Sequence, residues 1–226
     1  MEKRHFKIAL LGSPGSGKTS IATKLTTDIF YNQTDPTVGA SFFTYSDYIQ
    51  KYNDNYQFDN KIELYIWDTA GQERYKSLVA IYLRNCDVII VTYDLTNTNY
   101  SELNFWLKYV RDSHYYVDIK PFIFLVGCKA DLLDVDANRD KMMTDTIEKI
   151  KYQLPIEKHI FVSSKIGNSV KDLFGLIMKT LIDFYVNKYI DDQLNRNINN
   201  NNSNSNDIVN IIQNENPPIA SYKCCY

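Results

Sequence analysis

Cysteine is scarce, neither sign of charge is in excess, and no apolar run is long enough to cross a bilayer. Each shortage removes a class of function. The four cysteines fall at Cys86, Cys128, Cys224 and Cys225, which gives neither a repeated metal-type spacing nor the framework of a small secreted domain, so a reducing compartment fits. The 25 basic and 27 acidic side chains nearly cancel, and neither half is conspicuously basic. An electrostatic nucleic-acid surface has no compositional support, and nucleic acid is not expected as a partner. The start MEKRHFKIALLG mimics a signal peptide, but its apolar run is short and passes into glycines and Lys18 rather than a cleavage site. With no stretch of membrane-spanning length and no internal repeats, a soluble fold is expected. The 226 residues do carry 44% apolar side chains, enough for one well-buried domain plus an appendage, and nothing demands more than a monomer.

The runs FKIALL, KIELYIW, CDVIIVTY, PFIFLVG and KHIFVSS are rich in β-branched residues and are separated by longer segments with helical spacing. This alternation predicts an α/β fold built from βαβ units on a mostly parallel sheet. In FFTYSDYIQKYNDNYQFDNKIELYIW two strand-like runs flank a polar tip at Asn53, Asp54 and Asn55, which predicts a long antiparallel hairpin at one edge. After Ser169, the residues Val170, Leu173, Phe174, Ile177, Leu181 and Tyr185 repeat at helical steps. They are read as a packing stripe, with Ser169 as cap and Asp172 in the first turn. Beyond residue 188 the composition turns to NRNINNNNSNSN and NENPPIASYKCCY. That segment is expected to form a disordered tail over 189–226, after a folded domain over 1–188, because it holds too little apolar surface to offset its ordering entropy.

Gly12-Ser13-Pro14-Gly15-Ser16-Gly17-Lys18-Thr19, with Ser20 following, has the pattern G-x-x-x-x-G-K-[ST] between a strand and a helix. This is the context a phosphate loop requires: backbone N–H groups curl round a phosphate, Lys18 bridges the β- and γ-phosphates, and Thr19 offers a hydroxyl to magnesium. Trp67-Asp68-Thr69-Ala70-Gly71-Gln72-Glu73 closes the strand KIELYIW. Asp68 therefore stands at a strand's carboxyl end, where open parallel sheets place ligand chemistry. It can hold magnesium through water, Gly71 can present its N–H to a γ-phosphate, and Gln72 can orient an attacking water.

WDTAGQE together with this phosphate loop resembles the small GTPases of the Ras superfamily, over roughly residues 5 to 188. The resemblance implies a P-loop small G-protein fold, binding of GTP and GDP with Mg2+, and slow GTP hydrolysis using Lys18, Thr37 and Gln72. Thr37, in DPTVGASF, matches the first-switch threonine that meets magnesium and γ-phosphate, and Phe30 matches the aromatic packed on guanine. The family's N-K-x-D element stands here as Cys128-Lys129-Ala130-Asp131. Asp131 would accept from guanine N1 and N2, and Lys129 would lie along the base. Cys128 replaces an asparagine that braces the phosphate loop in relatives, and it is read as a buried strand-end residue without polar work. Ser163-Ser164-Lys165 resembles the S-A-K element, whose middle backbone N–H meets guanine O6.

Phe42, Trp67 and Tyr82, with VGASF, IWDTAGQERY and YKSLVAIYLR, resemble Rab proteins, and GASF and YKSL lean to the early-endosomal branch. This implies effectors on an aromatic surface, an exchange factor, a GTPase-activating protein, and an escort protein or GDP-dissociation inhibitor. It also implies residence on the cytoplasmic face of intracellular membranes, endosomal among them, with a cytosolic pool. Lys223-Cys224-Cys225-Tyr226 is similar to the double-prenylation ending of Rabs, one residue longer. Two lipids would be needed here, since one anchors only marginally and no polybasic patch helps it. Pro14 departs from the small residue usual beside the γ-phosphate and has no N–H to donate. That leaves a second reading, a GTP-dependent binding module with little or no hydrolysis. A small-molecule P-loop kinase would leave DTAGQE without a role.

Overall fold

The computed structural model describes residues 5–53, 56–71, 76–97, 101–113, 120–133 and 154–200. In chain order the elements are β1 (His5–Leu11), α1 (Lys18–Thr27), β2 (Ala40–Asn53), β3 (Tyr56–Thr69), α2 (Lys76–Leu83), β4 (Val88–Asp94), α3 (Ser101–Ser113), β5 (Phe122–Cys128), a 3-10 turn (Ala130–Leu132), β6 (Ile156–Val162) and α4 (Ser169–Asn200). They form a six-stranded sheet in the order β2-β3-β1-β4-β5-β6. Strand β1 runs parallel to β3 and β4, and β5 runs parallel to β4 and β6. The one antiparallel pair is the edge hairpin, so the sheet is mostly parallel as the alternation of runs implied. Its strands are 14 residues each, and the tip residues Asp54 and Asn55 lie outside the described residues.

Contacts divide the chain into two compact units. One comprises His5–Tyr45 and Glu63–Phe174, and it contains all the site geometry described below; the other takes in, among the described residues, Ser46–Ile62 and 175–200. In the first unit the central strands are buried on both faces, which is why β1, β4 and β5 read as continuous apolar runs rather than alternating ones. Side chains of alternate residues leave a strand on opposite faces. Ala9 and Leu11, Ile89 and Val91, and Ile123 and Leu125 therefore share one core cluster with Val79 and Leu83 of α2 and Leu103, Trp106, Leu107 and Val110 of α3. The α3 residues follow the three- and four-residue steps of a helical stripe, and each contributes about 1.5–3 kcal/mol by leaving water.

Two expectations for the last helix need correcting. Ser169 does not cap it: its hydroxyl donates to Ser163 O (3.1 Å) and accepts from Ser163 N (3.0 Å), while the helix opens on Asp172 N donating to Asn168 O. Nor does helix stop near residue 188. It continues to Asn200, because no glycine or proline stands between Gly175 and Asn200 to interrupt it and an already nucleated helix gains a hydrogen bond with each residue added. Disorder was expected from residue 189, but 189–200 are helical; 201–226, with Cys224 and Cys225, lie outside the described residues. No described helix is long and apolar enough to cross a membrane.

Candidate functional site

The site sits where five parallel strands end together. Leu11, Asp68 with Thr69, Asp94, Cys128 and Val162 close β1, β3, β4, β5 and β6, and each is followed by a loop on that edge. A cleft of about 1000 Å³ opens there. Its walls bring together residues far apart in sequence: Pro14, Gly15 and residues 17–20 of the phosphate loop, Phe30, Thr37, Gly71, Cys128, Lys129 and Asp131, and Ser164 with Lys165. Every segment the sequence assigned to a nucleotide thus reaches one opening, except that Gln72 lies outside the described residues.

At one end of the cleft the phosphate loop wraps a buried ammonium group. Lys18 Nζ donates to Gly12 O (2.7 Å) and Ser13 O (2.8 Å), with Ser16 Oγ at 3.4 Å. The residue is 5% exposed. Burial lowers its pKa to about 8, against the opposing charge of Asp68. Ser16 turns its hydroxyl away from the cleft. Thr92 Oγ1 spends its proton on Leu11 O (3.1 Å), so Ser16 Oγ is the donor in their 2.7 Å contact. Ser13 is held from the other side, where the Trp106 indole Nε1–H of α3 donates to its Oγ (3.3 Å).

Beside Lys18 three oxygen-bearing side chains converge. Thr19 Oγ1 donates to Asp68 Oδ2 (2.7 Å) and lies 3.0 Å from Thr37 Oγ1, which is itself 3.4 Å from the same carboxylate oxygen. Asp68 is fully buried, and its Oδ1 has no hydrogen-bond partner among the described residues. Burial raises its pKa, opposed first by the hydrogen bond from Thr19 and then by the charge of Lys18. Among the described residues no cluster of three or more His, Cys, Asp or Glu could hold a metal. The donors here are hydroxyl and carboxylate oxygens, and an orphaned buried carboxylate oxygen is costly unless a cation satisfies it. This donor set fits Mg2+, a hard ion that takes oxygen ligands, among them only one or two carboxylates, and completes its shell with phosphate and water. Gly71 closes the same corner. A Cβ built on it would lie 2.6 Å from Pro14 N and 2.7 Å from Gly12 O, so no side chain fits.

At the other end the groups are more exposed. Asp131 Oδ1 accepts from Ser163 Oγ (2.6 Å), and that hydroxyl in turn accepts from Lys165 N (3.2 Å) and Ile166 N (3.0 Å). Ser163 thus orients the carboxylate while shaping the turn that carries Ser164 and Lys165. Lys129, at a left-handed φ of 64°, sends its ammonium to Asp94 Oδ2 (2.6 Å). Cys128 is buried, and its polar contact is a weak one to Val126 O at 3.9 Å. Burial pushes its thiol up to about 12, the mark of an inert sulfur rather than a reactive one. It packs against Gly17 (φ 102°), where a Cβ would meet Cys128 Sγ at 3.0 Å.

Phe42, Trp67 and Tyr82 stand apart from the cleft and meet in series with their rings tilted against one another. Their ring centroids are 5.0 Å apart for Phe42 and Trp67, and 5.2 Å for Trp67 and Tyr82. Phe42 is half exposed, with Val38 and Ile81 among the exposed apolar side chains.

Three participants were missed from sequence: Asp94, Thr92 and Trp106. Asp94 alone carried a signal, since it ends its strand as Asp68 ends another. A family model described as Ras family matches residues 7–183, most of the chain and nearly all of this geometry.

Proposed function

We propose that this chain, which belongs to the Ras family of P-loop small GTPases, works as a GTP-hydrolysing Rab-type switch recruiting partners to a membrane while GTP-loaded. Members of the family bind GTP or GDP with Mg2+ and meet exchange factors, activating proteins and effectors. The observation that carries the reading is the convergence of Lys18, Thr19, Thr37 and Asp68 at one end of a cleft whose other end holds Asp131, Ser164 and Lys165.

On this reading Thr19, Thr37 and Asp68 hold Mg2+, and the ion supplies charge neutralisation for the transferring phosphoryl group. Lys18 exchanges its two loop carbonyls for phosphate oxygens, a stronger charge-assisted pairing for a buried cation. Thr37 directly follows the exposed stretch Tyr31–Pro36, so its tie to the phosphate end makes the conformation of that stretch depend on the γ-phosphate. Gln72, next to the close-packed Gly71, orients the attacking water. At the base end Asp131 accepts from guanine N1 and N2, and the stem of Lys129 covers the ring.

The Rab branch is supported by the Phe42, Trp67 and Tyr82 series beside the first switch, a partly exposed aromatic surface of the kind partners use. Cys224 and Cys225 are the proposed prenyl sites that fix the protein to the cytoplasmic face of an intracellular membrane, endosomal on the sequence likeness, with an escort protein or GDP-dissociation inhibitor keeping a cytosolic pool. Pro14 favours one alternative, a GTP-dependent module with little hydrolysis, because it withholds an N–H beside Gly71. Single-turnover GTP hydrolysis, with and without a Rab-type activating protein, decides between the two. Measurable turnover that falls steeply in Gln72→Leu while GTP binding persists supports the switch, and no turnover under either condition supports the module.

A further inference from the structure

Asp94 stands behind the site and has been given no role in recognition so far, yet both its carboxylate oxygens are committed. It ends β4 in register with Cys128 at the end of β5, and Leu95 N donates to Cys128 O at 3.0 Å. The two strand ends are thereby tied, which sets the Asp94 side chain beside Lys129. Oδ1 accepts from Thr96 N (2.8 Å) and Thr96 Oγ1 (2.7 Å), and this fixes the carboxylate's rotamer. Oδ2 takes the Lys129 ammonium at 2.6 Å. Asp94 lies outside the lining of the large cleft and borders a small polar cavity under the phosphate loop with Ser13, Ser16 and Thr92, whereas Lys129 lines the cleft itself.

A lysine side chain that is 38% exposed would ordinarily sample many rotamers. A charge-assisted bond to a carboxylate that is already immobilised selects one path for its stem. The head is then parked behind the cleft wall, where it cannot compete for the polar edge of a bound ring, and the methylenes are left along the cleft. The neighbouring Cys128 offers no comparable anchor.

We propose that Asp94 is a positioning residue for base recognition, pinning the Lys129 ammonium so that the lysine stem covers the bound base and slows release of guanine nucleotide. The proposal rests on the reading of Cys128 to Asp131 as the guanine site. Release of a fluorescent GDP analogue from the full chain tests it in wild type, Asp94→Asn, Lys129→Met and the double variant. Asp94→Asn is expected to speed release roughly five- to tenfold, Lys129→Met at least as much, and the double variant no more than Lys129→Met alone, since both remove one interaction. Faster release in Lys129→Met with unchanged release in Asp94→Asn, or effects that multiply in the double variant, overturns the role of Asp94 and leaves the guanine site intact. Unchanged release in Lys129→Met overturns the base-site reading of that lysine and the proposal with it. Should Asp94→Asn fail to fold, Thr96→Val removes one tie to Oδ1 and is expected to speed release severalfold; unchanged release there likewise overturns the proposal.

Discussion

The two ends of the cleft are built on different principles. At the phosphate end the working groups are sunk into the protein: Lys18 is 5% exposed and Asp68 is fully buried. Their hydrogen bonds come from the loop and from Thr19 and Thr37. At the base end Lys129 and Asp131 are only half-buried, and they are steered by residues behind them, Asp94 and Ser163. A buried cation and carboxylate are poised for a doubly charged partner and are costly to keep unpaired. Half-exposed groups on anchored stems impose direction at lower cost. The difference teaches that binding strength is concentrated at one end of the ligand and selectivity at the other, and the two are open to separate attack.

The largest expected effect is at the phosphate end. Lys18→Met removes one member of a buried charge pair, which costs roughly 2–5 kcal/mol, so GTP affinity by titration calorimetry should fall about thirty- to several-thousand-fold for any base. The same ammonium carries a pH signature. Its pKa is about 8 in the folded protein, below the ordinary 10.5. Phosphate favours the protonated form, so binding above pH 8 must take up a proton, and affinity should drop as pH rises through 8, about tenfold per unit. The nucleotide-free protein should instead gain stability between pH 8 and 10.5, because there the unfolded chain binds the extra proton. Affinity that is flat up to pH 10 would take Lys18 out of phosphate binding.

Next comes the base end. Asp131→Asn should lower GTP affinity on the order of a hundredfold, from charged hydrogen bonds of roughly 1.5–3 kcal/mol each. It should raise affinity for xanthosine triphosphate, whose carbonyl at position 2 matches an amide donor. Competition between the two nucleotides reads this directly, and retained preference for guanine would place selection elsewhere. A smaller gain is expected at Cys128, where a thiol at about 12 makes only a long contact. Cys128→Asn should slow GDP release by roughly tenfold, as one good hydrogen bond is restored. Release as fast as wild type would mean that packing against Gly17 excludes the amide. The smallest effect is predicted away from the cleft. Phe42→Ala should leave nucleotide release and hydrolysis within about twofold of wild type while weakening an effector's grip, which pull-down with GTP-loaded protein would show.

How much of this was legible in the sequence follows from how local each feature is. The strands, the phosphate loop and the Asp68 to Gly71 segment declare themselves in contiguous residues, because a loop that cradles phosphate and a carboxylate that ends a strand are built within one stretch of chain. Phe30 and Thr37 could be placed only through the family likeness, and the cleft indeed brings both to its wall. Thr92 and Trp106 were invisible, and Asp94 showed only its place at a strand end, because their partners are Ser16, Ser13 and Lys129, and only sheet order makes these neighbours. Ser169 misled for the opposite reason: its local pattern is that of a helix cap, but a tertiary partner, Ser163, claimed the hydroxyl. The asparagine-rich composition after residue 188 likewise obscured a helix already propagating from upstream.

The indole of Trp106 gives the protein an optical gauge of its own. The chain holds two tryptophans, Trp67 in the aromatic series and Trp106 with its N–H on Ser13 of the phosphate loop. In a Trp67→Phe background the remaining emission comes from a ring hydrogen-bonded to the loop that must rearrange when Lys18 leaves its carbonyls. Ultraviolet fluorescence of the unlabelled protein would then follow nucleotide loading at the phosphate end in real time. In Trp106→Phe the surviving signal would instead follow the aromatic surface, so the two single-tryptophan proteins would time the two events separately.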